Sequence, residues 1–514
     1  AFEPASLFDH YWDFDHVEDG QALDAVASDV TLSLSSPDAL GPGVMGTAPT
    51  LQGAGSTIDS EGLRFDPSGD FSLSVWVQLS LVHSFDTVVS QAGENVSAFY
   101  LQKRSDDRWS FATFSQDDTG ASPCVTSGSL QPKVGEWYHL AATREAATGE
   151  QRLYVDGMLL GRASCAAAPF AAKGELSVGR GTWDGQGADA INGSVDELGI
   201  ASRVLSADEI VNLYRQGRPN ASYYLFAYFV EVGQGRGDGL RLAYSHDGLY
   251  WGAIGESKVF MPPMVGGGSF RDPHVMRAPD GNYHLVFTTS CVPWAESNCV
   301  QDRGFGHAWS TDLVHWNDQV YIPVDLQIEH AWAPETIYDE ATSQFMVYWS
   351  SPLNGQPHSI YYLLTKDFVD FGTPAVLYTQ SGRNFIDATI RRQGDQYLMV
   401  LKDEADGQKN LRALASSALF GNGAWSDAPS APLTGNYGAE GPSLLERDGQ
   451  LFVYFDKYDE GAYGALRADE SSALTDPKSW TDISGSVFFP GVRHGTPIEV
   501  PWDIFRAVAL AAAE

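Results

Sequence analysis

Four short segments place an acidic side chain at or near the start of an otherwise apolar run: Asp272 in RDPHV, Glu335 in WAPET, Asp387 in IDATI and Glu440 in EGPSLL. Carboxylates gathered on apolar strands are costly to desolvate unless they are paired or used. Their mutual repulsion splits their pKa values, so one stays protonated while another is ionised. Two opposed carboxylates in those states are the machinery of glycoside hydrolysis. The four segments are therefore read as one candidate site that the fold must assemble.

Assembly calls for a repeat, and one is present. SHDGLYW at 245–251 recurs as STDLVHW at 310–316 and TKDFVDF at 365–371, followed by GNGAW and DPKSW. The landmarks Trp251, Trp316, Phe371, Trp425 and Trp480 stand 65, 55, 54 and 55 residues apart. Each unit also holds an apolar-aromatic strand: YHLVFTTS, QFMVYWSS, QYLMVLKD or LFVYFDKY. Repeats of this length with three or four strands are propeller blades, and five landmarks predict five blades. The unit beginning YYLFAYF lacks an opening strand. HGTPIEV, at 494–500, is expected to supply it from the far end of the chain and so hide the sheet edge. Innermost strands converge on the channel, so Asp272, Glu335, Asp387 and Glu440 are expected at about the same place in four successive blades.

Upstream, SADEIVNLYRQG reads as a helix. Ser206 and Glu209 form a capping box, Ile210, Leu213 and Tyr214 an apolar stripe, and Gly217 the stop. Arg218-Pro219-Asn220 breaks the chain, which sets domains at 1–218 and 219–514. Before the break, FSLSVWVQL, WYHLAATR and QRLYVDGMLLG read as strands, with Asp156-Gly157 as a hairpin turn. The fold class is all-β: an N-terminal β-sandwich (jelly roll) followed by a five-bladed β-propeller.

The chain carries 66 acidic and 32 basic residues, a net charge of -34 spread over both halves. That charge repels phosphate backbones and anionic lipid, so no nucleic-acid or membrane partner is expected. No apolar stretch is long enough to span a bilayer. The opening AFEPASLFDHYWDFDH has no signal-peptide pattern, so a leader was removed or never present. Cys124, Cys165, Cys291 and Cys299 form no C-x-x-C pair, which argues against zinc or redox chemistry. They are read as two disulfides, one in each half, or as four buried thiols. Disulfides would suit a secreted or periplasmic protein. Oligomeric state leaves no trace in the sequence.

The phrases HYWDFD, FSLSVWV, GEWYHLAATR, LYVDGMLLG and GSVDELGIASRVLSADEI resemble laminin-G-like, concanavalin-type modules. FRDPHV, HAWAPE, FIDATI and EGPSLL, in that order, resemble the opening strands of glycoside hydrolase family 43, five-bladed propellers acting on arabinosides, xylosides and related furanosides. The resemblance implies Asp272 as general base, Glu440 as general acid and Asp387 as the residue that tunes and orients that acid. It implies inversion at the anomeric carbon, and it leaves Glu335 as structural. No cofactor is required. His494, on the channel axis, marks where the family often holds an ion, so it is read as lying near a structural calcium or as a plain hydrogen-bonded core histidine. Arg271 is read as binding a sugar hydroxyl or pairing with a carboxylate, Trp332 as flooring the sugar site or belonging to the core, and Trp294 as a cleft wall between Cys291 and Cys299 or a structural ornament of that loop.

The expected activity is an exo-acting α-L-arabinofuranosidase on plant or algal-type neutral glycans, with β-xylosidase and β-galactosidase or galactofuranosidase as neighbours. A non-catalytic carbohydrate-binding propeller is the rival of another class, and retention of acid and base argues against it. The Arg-Asp-Pro spelling also resembles fructan-cleaving propellers. Those carry an Asn-Asp-Pro nucleophile and a Glu-Cys acid, and this chain has neither.

Overall fold

β-branched and aromatic runs separated by glycine-rich turns leave almost no helix-periodic sequence, and the computed structural model is nearly all strand. It describes residues 2–514 except 37–38, 62, 64, 234, 293–298, 300, 318 and 406–408. Two compact units are present: Ala1–Ala221 with Tyr250–Glu256 and Ala509–Glu514, and Ser222–Leu249 with Ser257–Val508.

The first unit is a sandwich of two antiparallel sheets. One runs from the edge strand Met158–Ser164 through Trp137–Glu145, Phe71–Leu81 and Asn192–Ala201 to Leu40–Pro42. The other runs from Cys124–Ser127 through Ser97–Lys103, Asp86–Ala92 and Ile58–Glu61 to Val17–Glu18. Phe71 of the first sheet packs on Phe99 and Phe111 of the second, with ring centroids 5.6 and 5.8 Å apart. Asp156 and Gly157 form a two-residue turn between Glu150–Val155 and Met158–Ser164. Both have positive φ, 52° and 80°, which a tight hairpin of this hand requires. The helix Ala207–Gly217 begins with the capping box, Ser206 and Glu209 bonding reciprocally, and buries Ile210, Val211, Leu213 and Tyr214. Cys124 is bonded to Cys165 here, and Cys291 to Cys299 in the second unit.

The second unit is a five-bladed propeller. Its innermost strands are β1 (Arg271–Arg277), β2 (Trp332–Asp339), β3 (Phe385–Gln393), β4 (Glu440–Arg447) and β5 (Arg493–Val500). Each touches the next, and β5 touches β1, which closes the ring. β5 pairs with Tyr223–Phe229, Leu225 opposite Ile498, so the last innermost strand completes the blade that the unit's first strand begins. The landmark turns follow the third strand of a blade. Trp316 and Phe371 bridge back to Ser310 and Thr365. The Trp316, Trp425 and Trp480 indoles donate to the Leu313, Leu419 and Leu474 carbonyls at 3.1, 2.8 and 2.9 Å. Apolar cores fill the gaps between blades, as where Val286, Phe305 and Ile322 of one meet Val347, Trp349 and Leu363 of the next.

Candidate active site

The same irregularity recurs in every innermost strand. Ladder pairing skips two residues after Arg271, Trp332, Ile386, Glu440 and Arg493. In four of the five, the first skipped residue has positive φ: Asp272 48°, Ala333 44°, Asp387 53° and Gly441 56°. Such bulges bend a strand and re-aim a side chain. A non-glycine residue held there costs about 1–2 kcal/mol. Glycine is required at 441 for a second reason, because a Cβ there would lie 2.5 Å from the His494 ring.

This register sharpens the expectation that the four acids are equivalent. Asp272 and Asp387 do share the bulge position, and His494 occupies it on β5. Glu440 stands one residue earlier, where β1 has Arg271, and Glu335 two later, where β1 has His274. Glu335 accepts from the Tyr348 hydroxyl at 2.6 Å and lies 3.4 Å from His274 Nδ1.

In β1 to β4 the residue before the bulge stands opposite Thr288, Ser350, Lys402 or Asp456 on the second strand of its blade, and in β5 Arg493 stands opposite Phe229. Each of the four reaches forward to the next blade. Thr288 and Ser350 accept the Ala333 and Asp387 N–H groups at 2.8 and 2.9 Å. Lys402 donates to Glu440 at 2.8 Å, and Asp456 pairs with Arg493. The equivalent place thus changes from backbone cap to charge partner where the chemistry gathers.

Asp272, Asp387, Glu440 and His494 line one recess of about 100 Å³ with Thr288 and Ser290. It shares Arg271, Trp332, Ile386 and Glu440 with a cleft of about 740 Å³ that also holds Glu231, His358, Lys402, Glu404 and Tyr458. His494 Nδ1 lies 3.4 Å from Asp272 Oδ1. Burial works against the Asp272 carboxylate, but His494, through hydrogen bond and charge, then Arg271 and Thr288, outweigh it and hold its pKa at about 2. Burial likewise disfavours the His494 cation, yet Asp272, Asp387 and Glu335 lift it to about 9. Asp387 goes the other way. Burial pushes it up to about 7, the Glu440 and Asp272 charges add, and His494 and Lys402 oppose. Its Oδ2 accepts the Gly441 N–H at 3.0 Å, tying β3 to β4 beside Glu440. Glu440 itself lies between Lys402 and Arg493, the latter at 3.6 Å.

Arg271 donates to the Gly235 carbonyl at 2.9 Å, pairs with Glu231 at 3.3 Å and lies over the Phe229 ring while lining the cleft. Trp332 is at the cleft wall, stacked on His330 at 3.7 Å, with its indole N–H donated to Gln301 at 3.1 Å. Trp294 lies outside the described residues. Calcium takes oxygen donors, and the His494 ring offers only nitrogen. Among the described residues no group of three or more His, Cys, Asp or Glu is arranged to hold a metal ion.

Sequence reasoning missed Lys402, Asp456 and Arg493. The signal was available in QYLMVLKD and LFVYFDKY, where a charge interrupts an apolar run at the same point of two repeats.

Residues 52–211 match the concanavalin A-like lectin/glucanases superfamily, and 220–502, more than half of the chain, match the family described as "Probable glycosyl hydrolase domain", a relative of family 43. An α-L-arabinofuranosidase of Bifidobacterium longum subsp. longum is 26% identical over 179 residues, which is 30% of this chain and 17% of that protein. The chain thus spans about a sixth of that relative's length. Among solved structures, an α-L-arabinofuranosidase from Lactobacillus brevis is 18% identical, covering 41% of this chain and 72% of that one, with a TM-score of 0.34. The NanB sialidase of Streptococcus pneumoniae is 11% identical, covering 83% and 82%, with a TM-score of 0.40. By the match over its propeller, the chain belongs to this family-43-related family of glycosyl hydrolase domains.

Proposed function

We propose that the propeller is an inverting, exo-acting glycosidase on neutral glycans, with α-L-arabinofuranosides as its substrate class. The observation that carries the reading is the convergence of Asp272, Asp387 and Glu440 on one recess opening into a cleft sized for sugar rings. Asp272, ionised from about pH 2 upward, takes the proton of the attacking water. Glu440 delivers a proton to the leaving oxygen. Asp387 keeps its own proton to about pH 7 and steadies Gly441 and the acid beside it. The net charge of -34 disfavours polyanionic glycans. The local similarity to an α-L-arabinofuranosidase supports that sugar over xylosides and galactosides. Two disulfides support a secreted or periplasmic location.

One observation favours a second assignment of the acid. Lys402 holds Glu440 in an ion pair, whereas Asp387 is the carboxyl that stays protonated near neutrality. In that assignment Asp387 donates the proton and Glu440 positions the leaving group.

The test is hydrolysis of 4-nitrophenyl α-L-arabinofuranoside, β-xyloside and β-galactoside by the wild type, Asp272→Asn, Glu440→Gln and Asp387→Asn. Loss of the base or the acid lowers kcat/KM by about 100- to 10,000-fold. The true acid is the residue whose variant is spared on a 2,4-dinitrophenyl glycoside, whose leaving group needs no proton. NMR of the first product shows the inverted anomer. No cleavage of any aryl glycoside or plant oligosaccharide, or unchanged turnover in Asp272→Asn and Glu440→Gln, sinks the reading.

A further inference from the structure

The sandwich has a cleft of its own, about 340 Å³, lined by Phe85, Tyr100, Gln102, Arg104, Phe114, Pro123, Trp183, Ala188 and Asp189. That volume falls within the range of small-molecule sites. Its aromatic wall is built on a two-residue hairpin, Gly181–Trp183 with Gln186–Ala188, whose turn residues Asp184 and Gly185 both have positive φ. The turn leaves Trp183 43% exposed, an unusual place for so large an apolar side chain. Trp183 is nonetheless held, edge-on to Phe114 at 6.1 Å, and Phe114 is edge-on to Tyr100 at 5.8 Å. The Tyr100 hydroxyl fixes the hairpin by donating to the Thr182 carbonyl and accepting the Ser97 N–H.

Three polar side chains share the cleft with hydrogen-bonding capacity left over. Gln102, 3% exposed, accepts from the Thr87 hydroxyl at 3.1 Å and has no acceptor for its amide N–H groups among the described residues. Asp189, held at φ 56°, makes no side-chain hydrogen bond among the described residues. Arg104 lies over the Phe85 ring at 5.4 Å with no carboxylate within 4 Å among them. A purely apolar ligand would strand these groups. A neutral ligand with a ring of hydroxyls would use them all: the carboxylate accepts from adjacent hydroxyls, the guanidinium and amide donate to oxygens, and the C–H face stacks on the indole. The opposite charges of Arg104 and Asp189 select against a strongly charged ligand.

We propose that this cleft is a second, non-catalytic binding site for a neutral saccharide, anchored by Trp183, Asp189, Arg104 and Gln102. It is independent of the chemistry proposed for the propeller. The test is affinity electrophoresis of the full-length chain in gels containing arabinan, arabinogalactan or xylan, with Asp272→Asn in every sample so that the polymer is not cut. At least one polysaccharide retards the chain, and Trp183→Ala and Asp189→Asn each weaken that retention by about tenfold or more, with Trp183→Phe intermediate. Placed in the otherwise wild-type chain, the same changes leave kcat/KM on the aryl glycosides unaltered and the melting temperature within about 2 °C. No retardation by any of the three polymers, or retention untouched by both changes, overturns the proposal whatever the propeller is found to hydrolyse.

Discussion

Replacing His494 by asparagine removes the cation that keeps Asp272 ionised, and the consequence can be worked from the pair. The two side chains are 12% and 13% exposed and 3.4 Å apart, so water screens them little. Asp272 is held at about 2 against an ordinary 3.8, and His494 at about 9 against 6.5. Burial opposes both ions, and His494 is displaced further because it also feels Asp387 and Glu335. The displacement of Asp272 corresponds to about 2–3 kcal/mol. Without His494, burial acts on Asp272 with its main opponent gone, and the carboxyl moves up by about 2 units or more. The acid limb of kcat/KM, below pH 3 in the wild type, then appears between about pH 4 and 6. The assay is kcat/KM on 4-nitrophenyl α-L-arabinofuranoside from pH 3 to 9 for wild type and His494→Asn, with melting temperature recorded at each pH. An acid limb that coincides in the two proteins while both remain folded refutes the reasoning. The pair also shapes stability. Asp272, depressed, contributes above about pH 4 and loses its contribution as pH falls through about 2. His494, raised, contributes below about pH 6.5 and loses its contribution as pH rises through about 9.

Other outcomes follow from single groups. Wild-type kcat should fall as pH rises through about 7, where Asp387 ionises beside Glu440, and Asp387→Asn should remove that limb in a pH–rate profile, at whatever lower rate it retains. Glu197, in the sandwich, is lifted by burial from 4.5 to about 8, so the folded state loses stability as pH rises between those values. Glu197→Gln should therefore leave the melting temperature unchanged near pH 4 and raise stability by no more than about 5 kcal/mol near pH 9 in denaturant titrations. Cys124 and Cys165 close a loop across a separation of 41 residues, so the paired change Cys124→Ser with Cys165→Ser should cost about 3–4 kcal/mol, read by calorimetry as a melting point lower by about 10 °C.

Landmark spacing in the sequence is enough to count the blades, and the missing opening strand before YYLFAYF is enough to foresee that HGTPIEV closes the ring. The capping box of Ser206 and Glu209 is legible for the same reason, since its chemistry is local. Register is another matter. Whether Glu440 or Gly441 stands at the bulge depends on where φ turns positive, and a motif comparison aligns acids with acids rather than backbone with backbone. Hence Asp272, Glu335, Asp387 and Glu440 read as one set, although only Asp272 and Asp387 are equivalent. Long-range electrostatics are equally hidden. Nothing near EGPSLL announces that Lys402, 38 residues earlier, bonds to Glu440. Only a comparison across repeats, setting Lys402 and Asp456 beside Thr288 and Ser350, exposes the position that each blade uses to hold the next.

Asp272, Asp387 and Glu440 are proposed to act together on one sugar ring. A crystal structure of the Asp272→Asn variant soaked with an arabinofuranose oligosaccharide tests it most directly. One ring is expected in the propeller recess, its anomeric carbon between position 272 and Glu440 and its face toward Trp332. Saccharide bound elsewhere on the propeller, with the recess holding only water, would contradict it.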